Sequence, residues 1–265
     1  GKSCAQIFSS AFSRIRRSHA GNWSIYQYNH IAAGQLIVVN YSDAIILGIV
    51  QGLTEFLPVS SSGHLALTQD IIGLDAGKTP IIFDLLLHVA TLLAVVIYFR
   101  KRLIALTCAL FDRNRKEERR HIILICVATL PIVITGLSLK NPLEQVREHP
   151  VAVSLLLCIT GLILFIPGWI KASPTRSPDM RTSLLMGFAQ SLALLPGISR
   201  SGSTIAAGLA LGIRPALAAE FSFLLAIPAI SGATIMKMDE ITSIPKDQTA
   251  IYLAGITVAF ITGLL

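Results

Sequence analysis

Ser42-Asp43-Ala44-Ile45-Ile46-Leu47-Gly48-Ile49-Val50-Gln51-Gly52-Leu53-Thr54-Glu55-Phe56-Leu57 has the make-up of a membrane helix, yet it runs straight into Pro58-Val59-Ser60-Ser61-Ser62-Gly63-His64 and a second apolar piece over 65–74. The same design recurs. Residues 183–195 lead into Pro196-Gly197-Ile198-Ser199-Arg200-Ser201-Gly202-Ser203-Thr204 and then an apolar piece over 205–213. At ~1.5 Å per residue, arms of roughly 10 to 16 residues reach only part of the way across a bilayer. Paired short arms around a Pro/Gly/Ser loop predict re-entrant hairpins, which survive at membrane depth only where protein or a wet cavity satisfies the loop. Gly48, Gln51, Pro58 and Ser62-Gly63 align with Gly187, Gln190, Pro196 and Ser201-Gly202, so the chain carries a weak internal repeat.

The rest of the chain fits this frame. Hydrophobic residues make up 53% and charged residues 14% of 265, and the mean hydropathy is +0.67, too apolar for an ordinary soluble domain. Apolar stretches near 83–99, 122–139, 151–170, 215–236 and 250–265 have the length of membrane helices, and residues 151–170 are apolar on every side, unlike the alternation of a barrel strand. The expected fold is an all-α polytopic membrane protein with two re-entrant hairpins and about five spans. Three spans between the hairpins would bring the second in from the opposite face, the inverted-repeat plan, with repeat one over about 41–139 and repeat two over about 181–265. Residues 1–40 read as a separate, poorly defined tail, and the last span reads as interrupted at Leu265.

A net charge of +7 could suggest nucleic acid, but the Lys/Arg residues flank the spans. Eight fall between Arg100 and Arg120 and three between Lys171 and Arg181, which the positive-inside rule assigns to the cytoplasmic side. The basic tail with Arg14, Arg16 and Arg17 does not follow that bias. Cys4, Cys108, Cys126 and Cys158 lack paired spacing and read as buried thiols.

The chemistry gathers on the hairpins. Gln51 and Glu55 share one helix face just before the first loop, and a carboxylate in hydrocarbon is functional or paired. Pro58 should end the arm, leaving Ser60 or Ser61 to open the next one, where free N–H groups and the helix dipole favour a phosphate. Any one of Ser60, Ser61 and Ser62 could be only a cap. His64, three residues after Ser61, could share its face and act as base, acid or nucleophile. Arg200 calls for a bidentate anion, or for an ion pair with Glu55 across the repeat interface. Ser199, Ser201, Ser203 and Thr204 add hydroxyls beside it. Asp84, His88 and Glu220, on the spans that follow the hairpins, read as supporting or packing polar groups.

These motifs resemble the undecaprenyl-diphosphate phosphatase family. The family's Glu-or-Gln, three residues, Glu motif running into Pro-x-Ser-Ser-x-Gly-His corresponds to Gln51 through His64, and its Pro-Gly-x-Ser-Arg-Ser-x-x-Thr motif to Pro196 through Thr204. The resemblance implies hydrolysis of undecaprenyl diphosphate to the monophosphate in a bacterial inner membrane, in a pocket opening outward, with a divalent cation, Mg2+ or Ca2+. It implies Ser61 as nucleophile with His64 the other candidate, Glu55 and His64 as the acid/base pair, and Arg200 as the diphosphate clamp. Gln51, where many members have Glu, would position the diphosphate or the ion, with Ser60, Ser62, Ser199, Ser201 and Thr204 around it and Glu55 the main carboxylate for a metal. The expected partners are the polyprenyl diphosphate and the membrane, with room for a homo-oligomer and no nucleic acid. A transporter or flippase of a lipid phosphate is the rival, since inverted repeats also build transporters. An intramembrane serine protease on Ser61 and His64 would leave Arg200 without a task.

Overall fold

Both hairpins form, each as two short helices around a polar turn. The computed structural model describes residues 39–74, 81–138, 146, 149–170, 174–238, 244 and 246–265. The N-terminal tail before Val39, with its arginines and Cys4, lies outside them. The first hairpin is α1 (Tyr41–Glu55) and α2 (Ser61–Ile71); then come α3 (Ile81–Tyr98), α4 (Arg100–Phe111), α5 (Lys116–Ser138) and α6 (Pro150–Ile170). The second hairpin is α7 (Met180–Leu192) and α8 (Arg200–Ala210), followed by α9 (Pro215–Met236) and α10 (Lys246–Leu264). No strand occurs among the described residues; Arg176 and Ile213 form one isolated bridge.

Five helices, α3, α5, α6, α9 and α10, are long and apolar enough to cross a membrane. The chain is a polytopic all-α membrane protein. Its exterior is apolar, as a protein dissolved in lipid requires: Leu130 and Ile134 on α5 and Leu155, Leu162 and Phe165 on α6 are exposed, while Gln51, Gln69, Thr91 and Gln190 are fully buried. Cys126 and Cys158 lie on this outer surface and Cys108 is exposed on α4, contrary to the expectation of buried thiols. An apolar stretch in a membrane protein reports the solvent, and the side facing protein is set by packing that the sequence does not spell out.

Each hairpin leans on the far end of the chain's other half. α1 packs along α10 and α7 along α5. Small residues permit both contacts, as in other membrane helix pairs. A Cβ on Gly48 would stand 2.6 Å from the Gly255 carbonyl oxygen, and one on Gly187 would stand 2.3 Å from that of Ala128. The second arms α2 and α8 both pack against α6, and α3 meets α9. At the centre the loops meet: Ser201 Oγ donates to the Leu57 carbonyl at 3.2 Å, and a Cβ on Gly63 would stand 2.9 Å from Gly197 Cα. Thr160 of α6 holds the second loop, donating to the Gly197 carbonyl at 2.7 Å and accepting from the Ser199 N–H at 2.9 Å.

One element differs from the sequence reading. The basic stretch after Tyr98, expected as a loop, begins with the 12-residue helix α4. Arg100, Lys101 and Arg102 mask its apolar character at the start, but all three are good helix formers.

Candidate active site

The turn between α1 and α2 is built by its own serines. Ser60 takes a left-handed φ of 68°, the one non-glycine residue with positive φ among those described, and its Oγ caps α2 by accepting from the Gly63 N–H at 3.3 Å. Ser61 is thereby the first residue of α2. The second loop solves the same problem with a glycine. Gly197 carries φ 106°, Ser199 is an ordinary extended N-cap that accepts from the Gly202 N–H at 3.0 Å, and Arg200 becomes the first residue of α8. Ser61 and Arg200 thus hold equivalent positions at the starts of the two second arms.

Both reach the same carboxylate. Ser61 Oγ donates a short hydrogen bond to Glu55 Oε2, and Arg200 Nη2 donates to Glu55 Oε1 at 2.5 Å across 145 positions of sequence. Gln51 Nε2 fixes Oε2 from behind at 3.0 Å and is shared with Thr91 Oγ1 at 3.1 Å. Glu55 is 7% exposed, so a lone charge there would be costly; the guanidinium and two further donors, Gln51 and Ser61, compensate it. Arg200 keeps donors in hand, because its buried Nη1 has no hydrogen-bond partner among the described residues.

His88 of α3 completes the group. Its Nδ1 lies 2.7 Å from the Asp84 carbonyl, which can only accept, so Nδ1 carries the proton. In the neutral ring Nε2 is then a free lone pair, 3.4 Å from Ser61 Oγ and 3.7 Å from Glu55 Oε2. His64 faces elsewhere: its Nδ1 donates to the Ser60 carbonyl at 2.8 Å, closing the first turn of α2.

Glu55, Ser61, His88 and Arg200 line one cavity of about 340 Å³, together with Ser60, Ser62, Ser199, Ser201, Asp84 and Lys237. Its remaining walls are apolar, among them Ile81, Ile132, Ile198 and Ile230. Gln51, His64 and Thr204 do not line it. Thr204 is buried under α8, its Oγ1 donating to the Arg200 carbonyl at 2.8 Å and meeting Ser222 Oγ at 2.6 Å, which seats the helix carrying Arg200. Asp84 Oδ1 accepts from Gln69 Nε2 at 2.8 Å, bracing α3 against α2. Glu220 lies apart, paired with Arg102 at 2.8 Å.

A resident metal finds little support in this arrangement. Among the described residues no three His, Cys, Asp or Glu side chains converge, and both oxygens of Glu55 are already engaged. Read as chemistry, the cavity offers a hydroxyl between a carboxylate and an imidazole, a guanidinium with unused donors opposite, and a ring of serines. Such a set of groups can seat a phosphate with a nucleophile beside it.

The sequence is similar to those of known proteins. Undecaprenyl-diphosphatase of Syntrophotalea carbinolica is 39% identical over 230 residues, covering 85% of this chain and 87% of that protein. Undecaprenyl-diphosphatase of Methanosphaera stadtmanae is 38% identical over 239 residues, 84% and 85% of the two chains, and that of Parabacteroides distasonis 38% over 230 residues, 85% and 86%. The family described as bacitracin resistance protein BacA matches residues 44–265, a range that takes in both hairpins and every residue of the cavity. The chain belongs to the bacitracin resistance protein BacA family.

Proposed function

We propose that this chain hydrolyses undecaprenyl diphosphate to undecaprenyl phosphate and inorganic phosphate. One observation carries the reading. Ser61 and Arg200, from opposite hairpins, meet on the Glu55 carboxylate at the wall of a half-apolar cavity, and the unpaired Nη1 of Arg200 leaves room for an anion. The names of the relatives point to the same reaction.

In the reaction, the terminal phosphate takes the guanidinium of Arg200 and the hydroxyls of Ser60, Ser62, Ser199 and Ser201, loosening the pair with Glu55. Ser61 Oγ attacks the terminal phosphorus, and its proton passes to Glu55 or to Nε2 of His88. The bond from that phosphorus to the bridging oxygen breaks, and the lipid monophosphate leaves with the bridging oxygen and the proton taken from Ser61. Water, deprotonated by the same groups, then attacks the phosphoserine, releasing inorganic phosphate and restoring Ser61. Positioning and charge neutralisation supply most of the rate in phosphoryl transfer. The acid/base role goes to His88 in place of His64, which is turned to a backbone carbonyl. A divalent cation would arrive on the diphosphate's own oxygens, and no step above depends on it. From the Lys/Arg bias of the loops that flank the spans, we infer that the cavity opens on the outer side of a bacterial inner membrane.

Phosphate release from C55 diphosphate by the purified chain in detergent tests the reading. Turnover lost on Ser61→Ala and on Arg200→Ala is the expected result. Vesicles that pass the lipid across without releasing phosphate would favour a transporter and overturn it.

A further inference from the structure

Helix α4 lies between two membrane spans, and none of its residues lines the cavity. At ~1.5 Å per residue it is about 18 Å long, too short to cross ~30 Å of hydrocarbon. Its two faces have different partners. Arg102, Leu106 and Ala109 form the inward face: Leu106 and Ala109 are buried, and Arg102 is pinned to Glu220 of α9. Ile104, Cys108 and Phe111, at the same spacing of four and three, form the outward face, where Phe111 is 88% and Ile104 62% exposed. Such a face would be a liability in water. Here it continues the lipid-facing surface, since Ile97 and Tyr98 at the end of α3 and Ile123 near the start of α5 are also exposed.

The charges beside it follow the same plan. Between Arg100 and Arg120 there are eight Lys/Arg against three Asp/Glu, and among the described residues Arg102 and Arg115 of the eight have carboxylate partners. Arg113, Lys116, Arg119 and Arg120 are exposed and ring a second hollow of about 520 Å³, whose other walls are Ile123, Leu124 and Met180. Cations around an apolar wall, at the boundary of the spans, match a molecule with an anionic head and a hydrocarbon tail. A soluble anion would meet the cations and leave both the wall and the outward face of α4 uncovered.

We propose that α4 lies in the membrane interface with Ile104 and Phe111 in the acyl boundary, and that the adjoining hollow binds the phosphate head group of an anionic phospholipid. The hollow shares no residue with the Glu55 and Arg200 cavity, and the inference does not rest on the phosphatase reading.

Two measurements on the full chain in lipid nanodiscs test it. In a background with Trp23 and Trp169 changed to Phe, a tryptophan introduced by Phe111→Trp is expected to be quenched by bromine-labelled acyl chains as strongly as one introduced by Val133→Trp on the lipid face of α5. An unquenched tryptophan at 111 overturns the proposal. This readout keeps every charge, so it stands even if removal of the cations impairs folding. Spin-labelled phosphatidylglycerol is expected to associate in preference to labelled phosphatidylcholine, with a preference that weakens as salt rises. Combined Arg113→Gln, Lys116→Gln, Arg119→Gln and Arg120→Gln should reduce that preference ~tenfold or more, and Lys246→Gln should leave it intact. Equal association of the two lipids with the unaltered chain, or displacement of the labelled lipid by millimolar inorganic phosphate, would assign the hollow to no lipid and overturn the proposal.

Discussion

The two hairpins share one backbone plan and differ in what they hang on it. Each has a serine N-cap bonded to a glycine N–H two residues into the second arm, a hydroxyl pair at 3.3 Å, and a buried glutamine on the first arm. In the first hairpin Gln51 holds Glu55, whereas among the described residues Gln190 in the second has no carboxylate to hold and its side-chain amide is without a partner. Position one of the second arm is Ser61 in one case and Arg200 in the other. The scaffold is common and, in the proposed mechanism, the division of labour is local: one side supplies reacting groups, the other the cation that grips.

The largest expected effect comes from breaking that division. Ser61→Ala or Arg200→Ala should lower phosphate release by ~10³-fold or more, because nucleophile and charge clamp have no substitute in the cavity. Arg200→Lys should recover little of it, since a point charge cannot serve Glu55 and a phosphate together as a planar fork does. Near-normal turnover in any of these would dissolve the contrast. Next in size, His88→Ala should cost ~10²-fold and His64→Ala far less, the order expected when His88 exchanges protons with Ser61. A reversed order would return the acid/base role to the first hairpin's own histidine.

Stability effects sharpen the shared plan. Gly48→Ala and Gly187→Ala should each destabilise by ~1–3 kcal/mol in thermal unfolding in detergent, because a methyl group at either would meet a carbonyl oxygen of the facing helix. Gly161→Ala, whose Cβ would meet nothing within 4 Å, is the control. At the turns the hairpins should part: Gly197→Ala combines φ 106° with a Cβ 2.6 Å from the Val153 carbonyl oxygen, whereas Ser60→Gly relieves a left-handed residue and loses only a weak cap. The first should be clearly destabilising, the second within a few tenths of a kcal/mol.

The smallest effect concerns the entries to the hairpins. Asn40 caps α1, its Oδ1 accepting from the Asp43 N–H at 2.9 Å, and Asp179 caps α7 through the Thr182 N–H at 2.8 Å. The hydrogen bond from the Thr182 backbone holds the Asp179 carboxyl below its usual range, overcoming slight burial, with the Thr182 hydroxyl and Arg176 assisting. A depressed pKa stabilises the folded state above the unfolded value, and that stability is lost as pH falls through the folded one. Below the ordinary aspartate range, the melting temperature should therefore fall through protonation of Asp179, and Asp179→Asn should flatten this acid dependence. Asn40→Asp should add a similar dependence to α1.

Much of this layout was legible. Both hairpins were placed within a few residues from Pro58 and Pro196 and the length of the apolar arms, and the meeting of Glu55 with Arg200 followed from the cost of burying either alone. The second arms start earlier than their apolar runs suggest, since Ser61-Ser62-Gly63 and Arg200-Ser201-Gly202 are polar yet form the first helical turns. The nearness of His88 to Ser61 was not legible, for a physical reason. Local spacing favours His64, but a side chain three positions into a helix can turn back to the N-cap carbonyl, while His88 arrives from α3 through tertiary packing. α4 was hidden by its arginines, and its inward face is defined by a partner 118 positions away.

Equivalent starting positions for Ser61 and Arg200 have a consequence for assembly. Two identical halves brought together as a symmetric pair would carry the same residue at both helix starts, giving two hydroxyls or two guanidinium groups at the centre. A carboxylate shared by one of each exists only because both hairpins are written into one polypeptide, where each can change its residue without changing the other's.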